Sequence, residues 1–237
     1  MNNDFKNKMI ELARMINDEL TEDQVENFFK YMNLLLEWNE KINLTAITDV
    51  DDIILKHFID SMTVLKYIEK GKSIIDVGTG AGFPGIPIAI MREDVKITLL
   101  DSVNKRINFL NEVCSELKIN NIETIHGRAE EAGQNKQYRE KYDIAVSRAV
   151  ANMTTLSEYL IPFVKVGGIC ICMKGSEIDH ELEQAKFAIK ELGGKIEKVE
   201  KFNLPNDISR SIVVIRKIKN TDKIYPRASA KIKKSPL

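Results

Sequence analysis

Cysteine, histidine and uninterrupted apolar runs are all scarce in this chain. Three cysteines among 237 residues are an odd set, too few for a disulfide scaffold, and they point to a reducing compartment, the cytoplasm. Cys170 and Cys172 alternate along one apolar run and share a face. Without further ligands at suitable spacing they read as core packing, and no metal site is expected. Cys114 has no basic neighbour to activate it. The three histidines, His57, His126 and His180, are isolated from one another, and no His/Asp or cysteine nucleophile arrangement is visible. The first dozen residues, MNNDFKNKMIEL, lack the apolar stretch of a leader. The longest weakly charged run, residues 73–91, carries Asp76 alone, yet Gly78, Gly80, Gly82, Pro84, Gly85 and Pro87 interrupt it. It reads as strand, loop and helix start inside a soluble core, with no membrane partner. Twelve glycines and six prolines exclude collagen-like and Pro-rich disordered classes.

Net charge is absent as well: 35 basic residues balance 35 acidic ones, so the total predicts no nucleic-acid partner. The distribution does more. Residues 1–60 hold 6 basic and 13 acidic side chains, whereas residues 216–237 hold 8 basic and 1 acidic. A basic end of this kind is either a polyanion contact or a solvated, disordered tail. Tyr225, Pro226 and Arg227 add a stacking ring and a guanidinium among the lysines, which favours RNA.

Residues 4–70 read as helical. Met9, Leu12, Ala13 and Ile16 recur at helical spacing, and Thr21 with Gln24 forms a candidate capping box. Val25, Phe28, Phe29, Met32, Leu35, Leu36 and Trp38 then make a broad apolar stripe. Asp49 or Asp51 can cap one or two further helices over 52–69. From residue 73 the period changes. Short apolar runs at 73–77, 96–100, 122–125, 143–147 and 169–173 alternate with helical stretches at 85–91, 104–118, 129–141, 152–160 and 177–192. Two more strand candidates, 195–202 and 211–217, follow directly and can form a hairpin at the edge. The pattern predicts an α/β fold, a mostly parallel seven-stranded sheet covered by helices on both faces. The chain divides into an N-terminal helical extension (1–70), a core (71–218) and a basic C-terminal tail (219–237).

The most informative element is IIDVGTGAGFPG, residues 74–85. An apolar strand runs through Asp76 into Gly78-x-Gly80-x-Gly82, the turn where a doubly wound sheet binds nucleotide-like ligands. Asp101, at the end of the next strand, can accept hydrogen bonds from both hydroxyls of a ribose. The third position after Gly80 is Phe83, where a dinucleotide fingerprint has glycine. Asp76 precedes the loop, where its carboxylate would face a positive ligand group and disfavour a pyrophosphate. S-adenosylmethionine, with an ammonium and a sulfonium, suits it better.

Several segments together resemble the bacterial RsmG family, also called glucose-inhibited division protein B: WNEKINLTAI (38–47), HFIDS (57–61), DVGTGAGFPGIPIAI (76–90), LLDSVNKRINFL (99–110), GRAEE (127–131), SRAV (147–150), MKG (173–175) and YPR…KKSPL (225–237). The resemblance spans nearly the whole chain. It implies a class I, Rossmann-like methyltransferase that takes S-adenosylmethionine as methyl donor. The implied substrate is a guanine of 16S rRNA, methylated at N7, on free rRNA or a small-subunit particle. By carry-over, Gly78, Phe83, Asp101, Ala129, Glu130 and Arg148 are the expected donor-site residues, to which the loop itself adds Asp76 and Gly80, and Ser102 follows Asp101. Lys174, Arg227, Lys231, Lys233 and Lys234 are the expected RNA contacts, and the chain is expected to be a monomer.

Guanine N7 carries a lone pair and no proton, so its methylation needs positioning and no general base. Arg148 is the candidate positioning residue; its alternative role is a salt bridge to Asp143 or Glu130. His57, with Asp60 three residues on, either pairs locally or faces the RNA side of the cleft, and reads first as a structural histidine. Three other readings stand beside this one: a methyltransferase for another base or a small molecule, a nucleotide-binding oxidoreductase, and a non-catalytic RNA-binding protein. Asp76→Ala and Asp101→Ala are each expected to abolish donor binding without unfolding, and deletion of 223–237 to weaken RNA association more than donor affinity.

Overall fold

A computed structural model describes residues 3–148 and 151–237. The extension begins with α1 (Asn3–Met15) and α2 (Glu22–Ile42). Thr21 and Gln24 close the capping box at the start of α2, and Asn43 ends it in the left-handed conformation. Asp49 caps α3 (Val50–Ile53), which continues through a π-helical stretch, Ile54–Ile59, into α4 (Asp60–Met62). One face of α2 is buried through Val25, Phe28, Tyr31, Met32 and Leu35, as the apolar spacing requires.

The core then alternates: β1 (Ser73–Val77), α5 (Gly85–Met91), β2 (Lys96–Asp101), α6 (Asn104–Glu116), β3 (Ile122–His126), α7 (Ala129–Gln134), β4 (Tyr142–Arg148), α8 (Met153–Leu160), β5 (Val164–Lys174), α9 (Asp179–Glu191), β6 (Gly194–Leu204) and β7 (Ile208–Lys217). The sheet order is β3-β2-β1-β4-β5-β7-β6. All neighbours run parallel except β7, which is antiparallel to both β5 and β6. Strand order reverses beside β1, so the carboxyl ends of β1, β2 and β4 frame the crevice where such sheets bind ligands.

Alternate strand residues serve two cores. Ile74, Ile97, Leu99, Ile144 and Val146 join the aromatic residues of α2 and the π-helical stretch on one face. Ile75, Val77, Leu100, Ala145, Cys170 and Cys172 pack with α8 and α9 on the other. The extension therefore covers the first face and shares one hydrophobic cluster with α5 and α6.

Two expectations need correction. The helix expected over 129–141 ends at Gln134. Asn135 is extended and its side chain accepts from the Gln137 amide, while Glu140 is left-handed. The alternative of a solvated, disordered tail also fails. Thr221, Tyr225 and Ile232 are buried, and residues 229–234 form α10 (Ser229–Lys234) on the second face. The buried ammonium of Lys217 holds the entrance to this segment, reaching Thr221 Oγ1 at 2.5 Å and Glu140 at 3.2 Å. Composition alone reads the lysines as solvated; the few apolar residues between them decide the placement.

Candidate functional site

The turn after β1 is built from glycine because its backbone visits positive φ at Gly78 (71°), Gly80 (63°) and Gly82 (99°). Asp76, wholly buried, fastens it from beneath: Oδ2 accepts from the Thr79 hydroxyl at 2.6 Å and the Gly85 amide at 2.9 Å. Its Oδ1 is buried without a partner. Burial pushes the Asp76 carboxyl up to about 7, against the pull of the Thr79 and Gly85 hydrogen bonds. Asp101 fastens the turn from the side. Its Oδ2 accepts from the Gly80 amide at 2.9 Å and from Arg106, and its Oδ1 from the Val103 amide. The Tyr31 hydroxyl of α2 donates to the Ala81 carbonyl, so the extension holds the turn too.

Two cavities open on this frame. The smaller, about 400 Å³, is lined by Asp101, Ser102, Arg128, Ala129 and Glu130, and also by Ser229 and Lys233 of α10. The larger, about 840 Å³, is lined by Gly80, Phe83, His57, Asp60, Lys174 and Arg210 among others. Gly78 and Arg148 line both, so the cavities meet at the ends of β1 and β4.

Arg148 is fixed from several sides. It lies 3.3 Å from Asp60 Oδ2, donates to the Lys56 carbonyl at 3.0 Å, and sits 4.8 Å above the Phe83 ring. Its salt-bridge partner is thus Asp60, and not the expected Asp143 or Glu130. Asp143 pairs with Lys165 near the other end of the sheet. Asp60 also accepts from Arg210 at 3.0 Å, so one carboxylate joins the extension to β4 and β7. His57 stacks on Phe83 with ring centroids 4.4 Å apart. Arg148 can only donate, so His57 Nδ1 accepts from it at 3.1 Å, and Nε2 donates to Thr45 Oγ1 at 2.9 Å. Burial, reinforced by the Arg148 charge, lowers the His57 pKa to about 3, which keeps the ring neutral.

Of the expected donor-site residues, Asp101, Ser102, Ala129 and Glu130 line the smaller cavity, Gly80 and Phe83 only the larger, and Gly78 and Arg148 both. Asp76 lines neither cavity; it acts on the site through the turn that it holds, and does not face a ligand directly. Lys174 lies in the larger cavity's wall, paired with Glu181 at 2.8 Å and donating to the Ala151 carbonyl. Arg227 is engaged by Glu158 at 2.6 Å and is far from a free tail cation. Lys231, Lys233 and Lys234 are all exposed on α10, and Lys233 also lines the smaller cavity. Of SRAV, Ala149 and Val150 lie outside the described residues. Sequence reasoning missed Asp60 and Arg210 as a pair, and read His57 first as structural, with the cleft as the alternative. The i, i+3 spacing of His57 and Asp60 was the available signal; nothing local marks Arg210.

The turn's own amides discriminate between ligands. Those of Gly78 and Thr79 donate to the Leu100 carbonyl, those of Gly82 and Phe83 to the Thr79 carbonyl, and those of Gly80 and Gly85 to Asp101 and Asp76. A pyrophosphate loop needs such groups free to point at the phosphates. Among the described residues there is also no group of three or more His, Cys, Asp or Glu placed to hold a metal ion, and no helix long and apolar enough to cross a membrane.

Comparison with known proteins agrees with this frame. The model of the family described as "GidB: rRNA small subunit methyltransferase G" matches residues 24–213. The chain belongs to the rRNA small subunit methyltransferase G family. It is 54% identical over 222 residues to ribosomal RNA small subunit methyltransferase G of Clostridium perfringens, covering 92% of this chain and 93% of that one. It is 50% identical over 237 residues to the protein of the same name from Alkaliphilus oremlandii, covering 99% of each. Among solved structures, Methanococcus jannaschii TYW2 in complex with AdoMet superposes with a TM-score of 0.53 at 16% identity, over 68% of this chain and 76% of that one. A SAM-dependent methyltransferase from Aquifex aeolicus gives 0.50 at 18%, over 66% and 89%. These likenesses show that this family member has the Rossmann-like methyltransferase fold.

Proposed function

We propose that this chain is an rRNA methyltransferase that transfers a methyl group from S-adenosylmethionine to N7 of a guanine in 16S rRNA. The observation that carries the reading is the meeting of two cavities at Gly78 and Arg148. One has the dimensions and the terminal strand acid for an adenosine; the other has room for a base beside Phe83. Both volumes fall within the roughly 300–1,000 Å³ of small-molecule sites. The residues fit the donor. Asp101 keeps a lone pair on Oδ1 for a ribose hydroxyl beyond its present bonds. Asp76 holds the turn from beneath, and a cationic group bound above it would draw its carboxyl towards the ionised form. Bound there, the donor supplies an electrophilic methyl group on a positively charged sulfur.

The chain's own residues then have a limited task. Gly78 and Gly80, held by Leu100 and Asp101, set the floor on which the two reactants approach in line. Arg148, locked by Asp60 and by carbonyls of the extension, marks the border between them. N7 forms its bond to the methyl carbon as the carbon–sulfur bond breaks, the electron pair stays on sulfur, and no proton moves. No base is needed, which accords with His57 having both nitrogens engaged and Asp60 bridging two arginines. Positioning of this kind can supply about 7–11 kcal/mol. Lys56, Lys174 and Arg210 line the larger cavity and suit an RNA backbone beside an unstacked base.

Mass spectrometry of 16S rRNA from cells lacking the protein tests the reading: one methylguanosine should be missing, and labelled methyl should return to small-subunit particles on adding the pure chain. Unchanged rRNA, or tight binding of NAD in place of S-adenosylmethionine, would overturn it. Transfer to a different base or a small molecule would leave the methyltransferase but replace the substrate.

A further inference from the structure

One wall of the smaller cavity comes from residues that no sheet or helix of the core supplies. Ser229 and Lys233 reach it from α10, beyond the last strand. The segment carrying them is held as firmly as core. Arg139 donates to the carbonyls of Thr221 at 2.8 Å, Asp222 at 3.0 Å and Tyr225 at 2.6 Å, and Gln134 to that of Pro226 at 2.9 Å. Glu158, 1% exposed, takes the backbone amide of Arg227 at 2.8 Å as well as its guanidinium. A Cβ on Gly133 would stand 2.9 Å from Pro226, so the segment lies against the α7 backbone.

The helices holding this segment are also those of the cavity. Helix α7 gives Ala129 and Glu130 to the cavity and Gly133 and Gln134 to the segment; α8 gives Tyr159 to one and Glu158 to the other. A shift of the segment therefore moves the cavity wall directly. We infer that the C-terminal segment completes the donor-binding site, with Ser229 and Lys233 as positioning groups for the uncharged adenosine end of the donor. The inference rests on reading the smaller cavity as the donor site. Lys233 suits that end because its ammonium would repel the donor's sulfonium, and Asp101 already marks the ribose position in the same cavity.

The test is calorimetry of the full chain with S-adenosylhomocysteine, alongside Ser229→Ala/Lys233→Ala and the control Asp101→Asn. The double variant should bind roughly tenfold more weakly, the size expected for losing a hydrogen bond from a charged group, with its unfolding midpoint unchanged. Trypsin cleavage at Lys231 and Lys234 should slow when the ligand is bound, since the segment is then clamped. Donor affinity and cleavage both unmoved, while Asp101→Asn loses binding, overturns the inference and leaves the donor site standing. Failure of the wild-type chain to bind the ligand at all overturns both.

Discussion

Asp76 is sealed beneath the turn with one oxygen unpartnered, and its carboxyl is pushed up to about 7. An unfolded aspartate titrates near 3.8, so between these values the folded chain holds a proton that the unfolded chain releases. The resulting stabilisation is complete below about pH 4 and is lost as pH rises through about 7. Asp76→Asn cannot ionise and should lose less stability than wild type over that interval; urea unfolding at both ends checks it, and parallel curves would refute it. The glycines divide in the same concrete way. A Cβ at Gly85 would stand 2.3 Å from Leu99 Cδ2 and 2.9 Å from Asp76 Oδ2, so Gly85→Ala should cost about 1–3 kcal/mol by overpacking. A Cβ at Gly80 would meet nothing within 4 Å. Gly80→Ala should cost about 1–2 kcal/mol through its left-handed backbone alone, measured by the same unfolding experiment, and should lower ligand affinity by narrowing the cavity.

At the scale of elements, the join between the extension and the sheet depends on Asp60. Its carboxylate, 3% exposed, meets Arg148 of β4 and Arg210 of β7. Asp60→Ala leaves a largely buried guanidinium at Arg148 without its counter-charge and should cost about 3–5 kcal/mol. Arg210→Ala should cost less, because its side chain is 25% exposed and Asp60 keeps its other partner; chemical denaturation of both variants gives the order. This join shows what the sequence conveys. Strands β1, β2, β4 and β5 were legible because parallel strands buried on both faces write short apolar runs, and α2 because its stripe has helical period; β3, at the sheet edge and only partly buried, gives a weaker run. The Asp60–Arg210 pair was not, since its partners lie 150 residues apart and neither neighbourhood marks the other. The same holds for Arg227 and Glu158, where a lysine-rich composition hides an anchored segment. The end of α7 was missed because a side-chain bond at Asn135, and no proline, stops the helix just after Gly133.

Across the whole molecule the balance of 35 basic and 35 acidic residues conceals a separation in space. The acidic extension packs on one face of the sheet, and the basic C-terminal segment on the other. A polyanion approaching such a body responds to the local field within about a Debye length, near 10 Å at 0.1 M salt, and not to the zero total. The C-terminal helix then has two sides with separate consequences. All three lysines are exposed, but Lys233 lines the smaller cavity whereas Lys231 and Lys234 do not. Reversing the two charges outside the cavity, Lys231→Glu/Lys234→Glu, leaves the Ile232 anchor and the Arg227–Glu158 pair in place. Donor affinity should therefore hold while association with small-subunit rRNA slows, and the wild-type advantage should shrink as salt is raised, because screened charges steer less. Stopped-flow association at low and high ionic strength, with calorimetry of the donor as the parallel measurement, separates the two roles. Equal rates for variant and wild type at low salt would confine the basic segment to the donor site, and would move the RNA-facing charge to Lys56, Lys174 and Arg210 around the larger cavity.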